Sequence, residues 1–254
     1  MGGEPLITIE NAGKRFVTGV EALGPASLTV PRGAFLSLVG PSGCGKSTLL
    51  RLIAGLDTPT SGHLHWHGQR PRLGFVFQEP TLMPWATVEK NARLGLELLG
   101  TPEAQIRETV AGTLDLVGLS QFAKAYPREL SGGMRMRVSI ARALAVDPQV
   151  LLMDEPFAAL DEFTRERLND ELLMLWARRG LTVIFVTHSV YESVYLSTAI
   201  AVFTARPGRV SEVVAVDAPQ PRGKAFRQSA RYHTLCEEVS QALRSASGLE
   251  ELGE

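Results

Sequence analysis

The chain has 254 residues, 44% of them hydrophobic and 21% charged, which allows one large α/β domain or two small ones around a substantial core. A formal net charge of −1 argues against nucleic acid as the main partner, because that role usually shows as a basic excess or stripe. With only Cys44 and Cys236, no apolar run near the roughly 18 to 20 residues a membrane helix needs, and no signal-peptide layout in Met-Gly-Gly-Glu-Pro, a cytosolic protein without disulfides or a cysteine metal cluster is expected.

Short β-rich apolar runs alternate with helical patterns, which predicts a mainly parallel sheet covered by helices. Strands are expected at Leu6–Glu10, Ala26–Val30, Ala34–Val39, His63–His67 and Leu73–Phe77, the early ones joined by short loops into an antiparallel flank. The stretch from about Thr87 to Ala125 reads as helices, with Thr101 as an N-cap, Pro102 at a first helical position, and Gly100 and Gly118 as stop signals. A helix from Met136 to Ala145 follows, with Ser131 able to cap it. Val150–Met153 and Thr182–Val186 are apolar on both faces, as buried parallel strands are. Between them, Leu168, Leu172 and Leu175 recur at helical spacing within Asp161–Arg179, with acids early and Arg178-Arg179 late to suit the helix dipole. A last strand, Ala199–Phe203, precedes a loop with Pro219 and Pro221 and an amphipathic helix from Arg231 to Arg244.

Gly40-Pro41-Ser42-Gly43-Cys44-Gly45-Lys46-Ser47-Thr48 lies between the strand Phe35–Val39 and the helical pattern Ser47–Ile53, the context a phosphate-binding loop requires. Its glycines let backbone N–H groups turn inward around phosphate oxygens at the positive end of a new helix. Lys46 would reach the β- and γ-phosphates of ATP, and the Ser47 hydroxyl would ligate Mg²⁺. The alternative is a glycine-rich turn that binds nothing, which the strand and helix flanks disfavour. Val150-Leu-Leu-Met-Asp154-Glu155 is an apolar strand ending in two acids. Asp154 is assigned to the metal, usually through water, and Glu155 to orienting or deprotonating the attacking water. Two solvated loop acids are the alternative.

Leu130-Ser131-Gly132-Gly133-Met134 makes a second anion-binding helix start, which suits an ATPase that completes its neighbour's site better than an isolated one. At this point the sequence resembles the ATP-binding subunits of ABC transporters, over about residues 6 to 215. The pieces stand in the family's order: Phe16, the phosphate loop, Gln78 in Phe-Val-Phe-Gln-Glu-Pro, Ser131-Gly132-Gly133, Asp154-Glu155, Ala-Leu-Asp161 and His188. The resemblance implies a P-loop NTPase of ABC type, with a mainly parallel sheet, an antiparallel β flank and a helical subdomain at about 84–146. Residues 216–254 would then be a C-terminal extension whose helix packs on the core. It further implies that Phe16 stacks on adenine, Gln78 joins the Mg²⁺ and water shell, and His188 touches the γ-phosphate. Two copies would meet head to tail, each Ser131-Gly132-Gly133 closing on the other's ATP, with Asp161 in the dimer loop. Phe16 stands where Tyr is more usual, Met134 where Gln is frequent, and Ala158 where Ser often stands.

Leu82-Met-Pro-Trp85 leading into Val88–Leu98, Val186–Ser197 and Arg206-Pro-Gly-Arg-Val210 resemble the ATPases of importers for nitrate, sulfonates, taurine and related small solutes. That implies a separate membrane permease, an indirect solute-binding protein, no nucleic-acid partner, and a place on the inner face of the cell membrane. Trp85 would contact the permease. A soluble ABC ATPase acting on nucleic acid or in cluster assembly is the competing class, and a nucleotide-dependent scaffold without turnover is a third. His63, His65 and His67 share one strand face but lie about 7 Å apart, a poor chelate. Arg135, Arg137 and Arg142 are read as a solvated or partner-facing surface. Cys44 could be alkylated with loss of binding.

Overall fold

The computed structural model describes residues 3–158, 160–219 and 222–248. In chain order its elements are β1 (Pro5–Arg15), β2 (Glu21–Pro31), β3 (Phe35–Val39), α1 (Lys46–Ala54), β4 (Ser61–Trp66) and β5 (Leu73–Val76). The helices α2 (Val88–Leu98), α3 (Glu103–Leu116) and α4 (Gly132–Ala145) follow, then β6 (Val150–Asp154), α5 (Glu162–Arg179) and β7 (Thr182–Val186). The chain continues through α6 (Val190–Leu196), β8 (Ala199–Phe203), β9 (Val210–Ala215), α7 (Lys224–Arg227) and α8 (Ala230–Ala246). These elements fall into two units, one drawn from Met1–Arg70 and Leu168–Glu254, the other from Pro71–Arg167.

In the first unit β3 runs parallel to both β7 and β8, with Leu36 opposite Ile184 on one side and Ala199 on the other. Every residue of these three strands is buried, so they read as unbroken apolar runs rather than alternations. Ser37, the polar residue of β3, shares a hydrogen bond with the Ser197 hydroxyl at 2.5 Å. β9 adds to β8 in antiparallel fashion, with Ile200 opposite Val214. This strand is missing from the sequence-based reading because exposed Ser211 and Glu212 interrupt its apolar pattern.

A separate sheet carries β1 between β2 and β4, antiparallel to both. β1 continues to Arg15 instead of stopping at Glu10. The register slips between Ile9 and Ala12, where Asn11 sits at φ 48°, and this bulge carries the strand past the break in its alternation. His63 and His65 lie opposite Glu10 and Thr8. His63 Nε2 is 3.1 Å from Glu10 Oε2, and His67 Nε2 is 2.8 Å from Thr8 Oγ1.

α8 packs on α6 and β8, with the Tyr232 hydroxyl donating to the Tyr191 carbonyl at 2.9 Å. The buried Arg222 guanidinium donates to the carbonyls of Val194 and Tyr195 at 3.1 and 2.8 Å. Those carbonyls close α6, where helix geometry supplies no internal partner. Pro221, expected in the preceding loop, and residues 249–254 lie outside the described residues.

In the second unit β5 pairs in parallel with β6, Phe75 opposite Leu152, and α2, α3 and α4 pack against one another. Two helix starts differ from expectation. Pro102 itself occupies the N-cap of α3, where its missing N–H costs nothing, so Thr101 lies one residue outside and caps nothing. α4 begins at Gly132 rather than Met136, because the Ser131 hydroxyl accepts from Met134 N–H and fixes the first turn there.

Candidate functional site

In the first unit, β3 ends at Val39 and delivers the chain into the turn 40–45, after which α1 begins at Lys46 and carries Ser47 and Thr48 in its first turn. Gly45 holds φ 106°, and a Cβ there would lie 2.3 Å from the Ala22 carbonyl oxygen, so the turn into α1 admits only glycine. The N-cap of α1 is Gly45, which has no side chain to cap the first turn, and such a helix start suits an anion. The buried Lys46 ammonium donates to the carbonyls of Gly40 and Pro41 at 2.8 and 2.9 Å and lies 3.7 Å from Cys44 Sγ. A phosphate oxygen would replace these neutral acceptors with a charged one and add ion-pair attraction to the hydrogen bond. Pro41, Ser47 and Thr48 are half-buried, Ser42 and Gly43 exposed, and Cys44 fully buried.

A residue the sequence reading did not assign supports this loop. Gly208, in the turn between β8 and β9, approaches so closely that a Cβ would lie 2.0 Å from the Cys44 carbonyl oxygen. The Arg206–Val210 stretch is therefore a brace for the phosphate loop, and glycine is required by the close approach of two backbones.

β7 lies beside β3, and its end leads into Thr187 and the exposed His188, so His188 and the phosphate loop share the C-terminal edge of one parallel sheet. A network that sequence reading missed holds this turn. Buried Thr187 hydrogen-bonds the Glu192 carboxylate and accepts from Ser189 N–H at 3.1 Å, while the Ser189 hydroxyl accepts from Glu192 N–H at 3.2 Å. The visible signal was Ser189 followed three residues later by Glu192, a capping pattern. Phe16, just past β1, is 40% exposed and borders a cavity of about 440 Å³ shared with Lys14, Val17, Thr60 and Ser61.

In the second unit, β6 ends in Asp154, which is buried, and Glu155 follows at φ 47°. A non-glycine residue held there stores about 1–3 kcal/mol of strain, which surrounding structure must overcome. Gln78, just past β5, donates from Nε2 to Glu155 Oε2 at 3.3 Å. The segment after Gln78 is clamped by Arg142 of α4, whose guanidinium donates to the carbonyls of Pro80 and Thr81 at 3.0 and 2.9 Å and to the Thr81 hydroxyl at 3.0 Å. Burial pushes the Arg142 pKa down from its ordinary value. Arg135 likewise donates to the Leu130 carbonyl at 2.7 Å, ahead of Ser131. The three arginines of α4 are thus not a solvated face. Each is half-buried, and Arg137 reaches the Val117 carbonyl at 3.5 Å.

Ser131 and Gly132 are exposed at the start of α4, and a Cβ on Gly133 would lie 3.1 Å from Leu160 Cδ2. Exposed Asp161 accepts from Thr164 N–H at 3.0 Å, which caps α5 and lowers the Asp161 pKa. Arg165 holds the preceding turn through the carbonyls of Phe157 and Leu160 at 3.3 and 2.8 Å. Ala158 is exposed, and Ala159 of the expected dimer loop lies outside the described residues.

The predicted residues therefore form two groups. Phe16, the loop 40–48 and His188 belong to the first unit; Gln78, Ser131–Gly133, Asp154, Glu155 and Asp161 belong to the second. The donors suit a triphosphate with Mg²⁺. A glycine-built helix start with a buried ammonium fits phosphate. Among the described residues no group of three or more His, Cys, Asp or Glu could hold a metal ion.

The ABC transporter family pattern matches residues 23–158. The aliphatic sulfonates import ATP-binding protein SsuB of Bacillus licheniformis is 46% identical over 222 residues, 85% of each chain. The nitrate import ATP-binding protein NrtD of a Synechocystis strain is 43% identical over 236 residues, 89% of each chain. Among solved structures, the dimeric post-hydrolysis state of the ATP-binding cassette MJ0796, bound to ADP and Pi, superposes with a TM-score of 0.77 at 31% identity, covering 84% of this chain and all of that one.

Proposed function

The chain belongs to the ABC transporter family and is an ATPase; on that premise we propose that it powers a bacterial-type importer for a small solute of the nitrate, sulfonate or taurine kind. The observation that carries this reading is the identity to SsuB and NrtD, which extends over most of both chains. The permease is a separate membrane protein with its own solute-binding partner, and this chain works beside it on the inner face of the cell membrane. Among the described residues, no helix is long and apolar enough to cross a membrane. In this reading residues 1–215 form the ATPase domain, with a helical subdomain at about 84–146, and 216–254 are its extension.

The chemistry assigned to the residues follows from their types and settings. Phe16 stacks on the adenine, the backbone N–H groups of 40–48 and Lys46 grip the phosphates, and Gln78 orients the Glu155 carboxylate. Glu155 takes a proton from water as the water oxygen bonds to the γ-phosphorus and the bond to the bridging oxygen breaks, releasing ADP and phosphate. His188 sits by the γ-phosphate and Asp161 in the dimer loop. Bound Mg²⁺, held by Ser47, Gln78 and Asp154, would neutralise phosphate charge. Ser131, Gly132 and Gly133 of a second copy close the site, so turnover requires a head-to-tail dimer.

The test is disruption of the gene in its source organism. Loss of growth on nitrate, taurine or an alkanesulfonate as the sole nitrogen or sulfur source, restored by the wild-type gene and not by a Lys46→Ala variant, is expected. Unimpaired growth on all three would overturn the solute class. Co-purification of a nuclease or a cluster-assembly scaffold in place of a permease would overturn import and favour a soluble ABC ATPase.

A further inference from the structure

Lys14, which no part of the proposed mechanism uses, lies near the end of β1, the central strand of its sheet. Its side chain is only 11% exposed. The ammonium forms an ion pair with Asp57 and donates to the Thr58 carbonyl at 2.8 Å. Asp57 is held to the same turn because its carboxylate also accepts from Thr58 N–H at 2.8 Å. The hydrogen bond from Lys14 is the main reason its carboxyl stays below the usual carboxylate range. An ammonium has three donors, and two are spent here. The same nitrogen lies 5.6 Å from the centre of the Phe16 ring, within the range of a cation–π contact.

The neighbouring backbone ties make this a rigid mount. Thr60 N–H donates to the Gly13 carbonyl at 2.9 Å, and Arg15 N–H to the Thr60 hydroxyl at 3.0 Å. Past the ring, Phe16 N–H donates to the Val20 carbonyl at 2.9 Å and closes a turn whose Val17 is fully exposed. The segment that leaves α1, the helix opening on the phosphate loop, is therefore fastened to the strand end that presents Phe16.

We infer that Lys14 is a positioning residue for the nucleobase: through Asp57 and Thr58 it orients the Phe16 ring beside the cavity, and its ammonium draws on the ring's π density so that an electron-rich purine stacks there. The inference rests on the reading of Phe16 as the base platform. It makes Lys14 serve the base and not the phosphates.

The experiment compares binding of Mg-ATP with binding of magnesium tripolyphosphate, which has the phosphates and no base, by the purified full-length chain. Lys14→Met should weaken ATP binding about three- to tenfold, the size of a lost cation–π contact plus loosened orientation, and leave tripolyphosphate binding unchanged. Lys14→Arg should recover most of the ATP affinity. Adding Lys14→Met to Phe16→Ala should produce no further loss, because the two residues act through one contact. Asp57→Asn provides a second, milder perturbation should Lys14→Met fold poorly, and it should show the same selective loss. A parallel loss of tripolyphosphate binding in the Lys14 and Asp57 variants would overturn the inference in favour of a purely structural tie. Weakened ATP binding in Phe16→Ala with none in Lys14→Met would overturn the role of Lys14 alone. Full ATP affinity in Phe16→Ala would remove the base platform and the inference with it.

Discussion

Gln78 and Glu155 meet at the ends of two paired parallel strands: the Gln78 amide donates to the Glu155 carboxylate at 3.3 Å. The carboxylate also sits on a backbone held at φ 47°. In the proposed mechanism this carboxylate is the group that takes the proton from the attacking water. Glu155→Gln should therefore cut ATP turnover by about 10² to 10⁴, the usual range for losing a general acid–base. ATP binding should persist and dimers should accumulate, as measured by phosphate release and light scattering. Wild-type turnover in that variant would strip Glu155 of its role.

Lys46 is buried, with its ammonium donating to the carbonyls of Gly40 and Pro41, and in the proposed mechanism it exchanges these acceptors for phosphate oxygens. Lys46→Ala is expected to raise the dissociation constant for Mg-ATP about 10- to 100-fold, following the ~1.5–3 kcal/mol of a charged hydrogen bond. Calorimetric titration of the purified chain gives the number.

Arg142 supplies three hydrogen bonds to the segment following Gln78, where Thr81 stands at φ 45°. Arg142→Met keeps most of the packing volume and leaves the Pro80 and Thr81 carbonyls without these donors. A loss of about 2–4 kcal/mol in urea unfolding is expected. Arg142→Lys should recover little of it, since one ammonium cannot reproduce a planar fork.

Asn91 is fully buried in α2 and bonded to Met83 N–H and to the carbonyls of Met83, Ala86 and Thr87 at 2.8 to 3.2 Å. It fixes the turn that carries Trp85, which is 76% exposed. Trp85→Ala should change stability by less than about 0.5 kcal/mol, as exposed substitutions do. It should leave basal ATP hydrolysis intact and reduce the stimulation seen with the permease. Asn91→Leu, by contrast, should cost about 2–4 kcal/mol by stranding buried backbone groups. Equal permease stimulation in wild type and Trp85→Ala would show that the indole is not the contact.

The cap on α5 predicts a pH dependence. The Thr164 N–H bond lowers the Asp161 pKa in the folded chain, so the stabilisation is complete above the unfolded value of about 3.9 and is lost as pH falls through the lower folded value. Asp161→Ala should be less stable than wild type at pH 7, and the gap should narrow as pH drops towards 3. Urea midpoints measured across that range decide it; a constant gap would assign the difference to something other than the carboxylate.

The features legible in the amino-acid order are those whose physics is local. Gly45 followed by Lys46 and Ser47 after an apolar strand is a backbone turn, a charge and a helix start within a few residues, and no distant contact is needed to read it. Buried parallel strands such as Thr182–Val186 announce themselves because both faces are apolar. Ser131 as the cap of α4 was equally plain, although the helix begins nearer to it than the apolar pattern suggested.

Tertiary structure decided which polar residues serve other segments. Arg142 looked like a surface charge and is a clamp on a carbonyl 61 residues away. Lys14 reaches Asp57, and Gly208 is fixed by the carbonyl of Cys44, neither of which leaves a periodic trace. β9 escaped notice because an exposed strand need not alternate cleanly. A hydrogen bond across the fold depends on where two distant backbones come to rest, and the spacing of residues along one of them carries no record of the other.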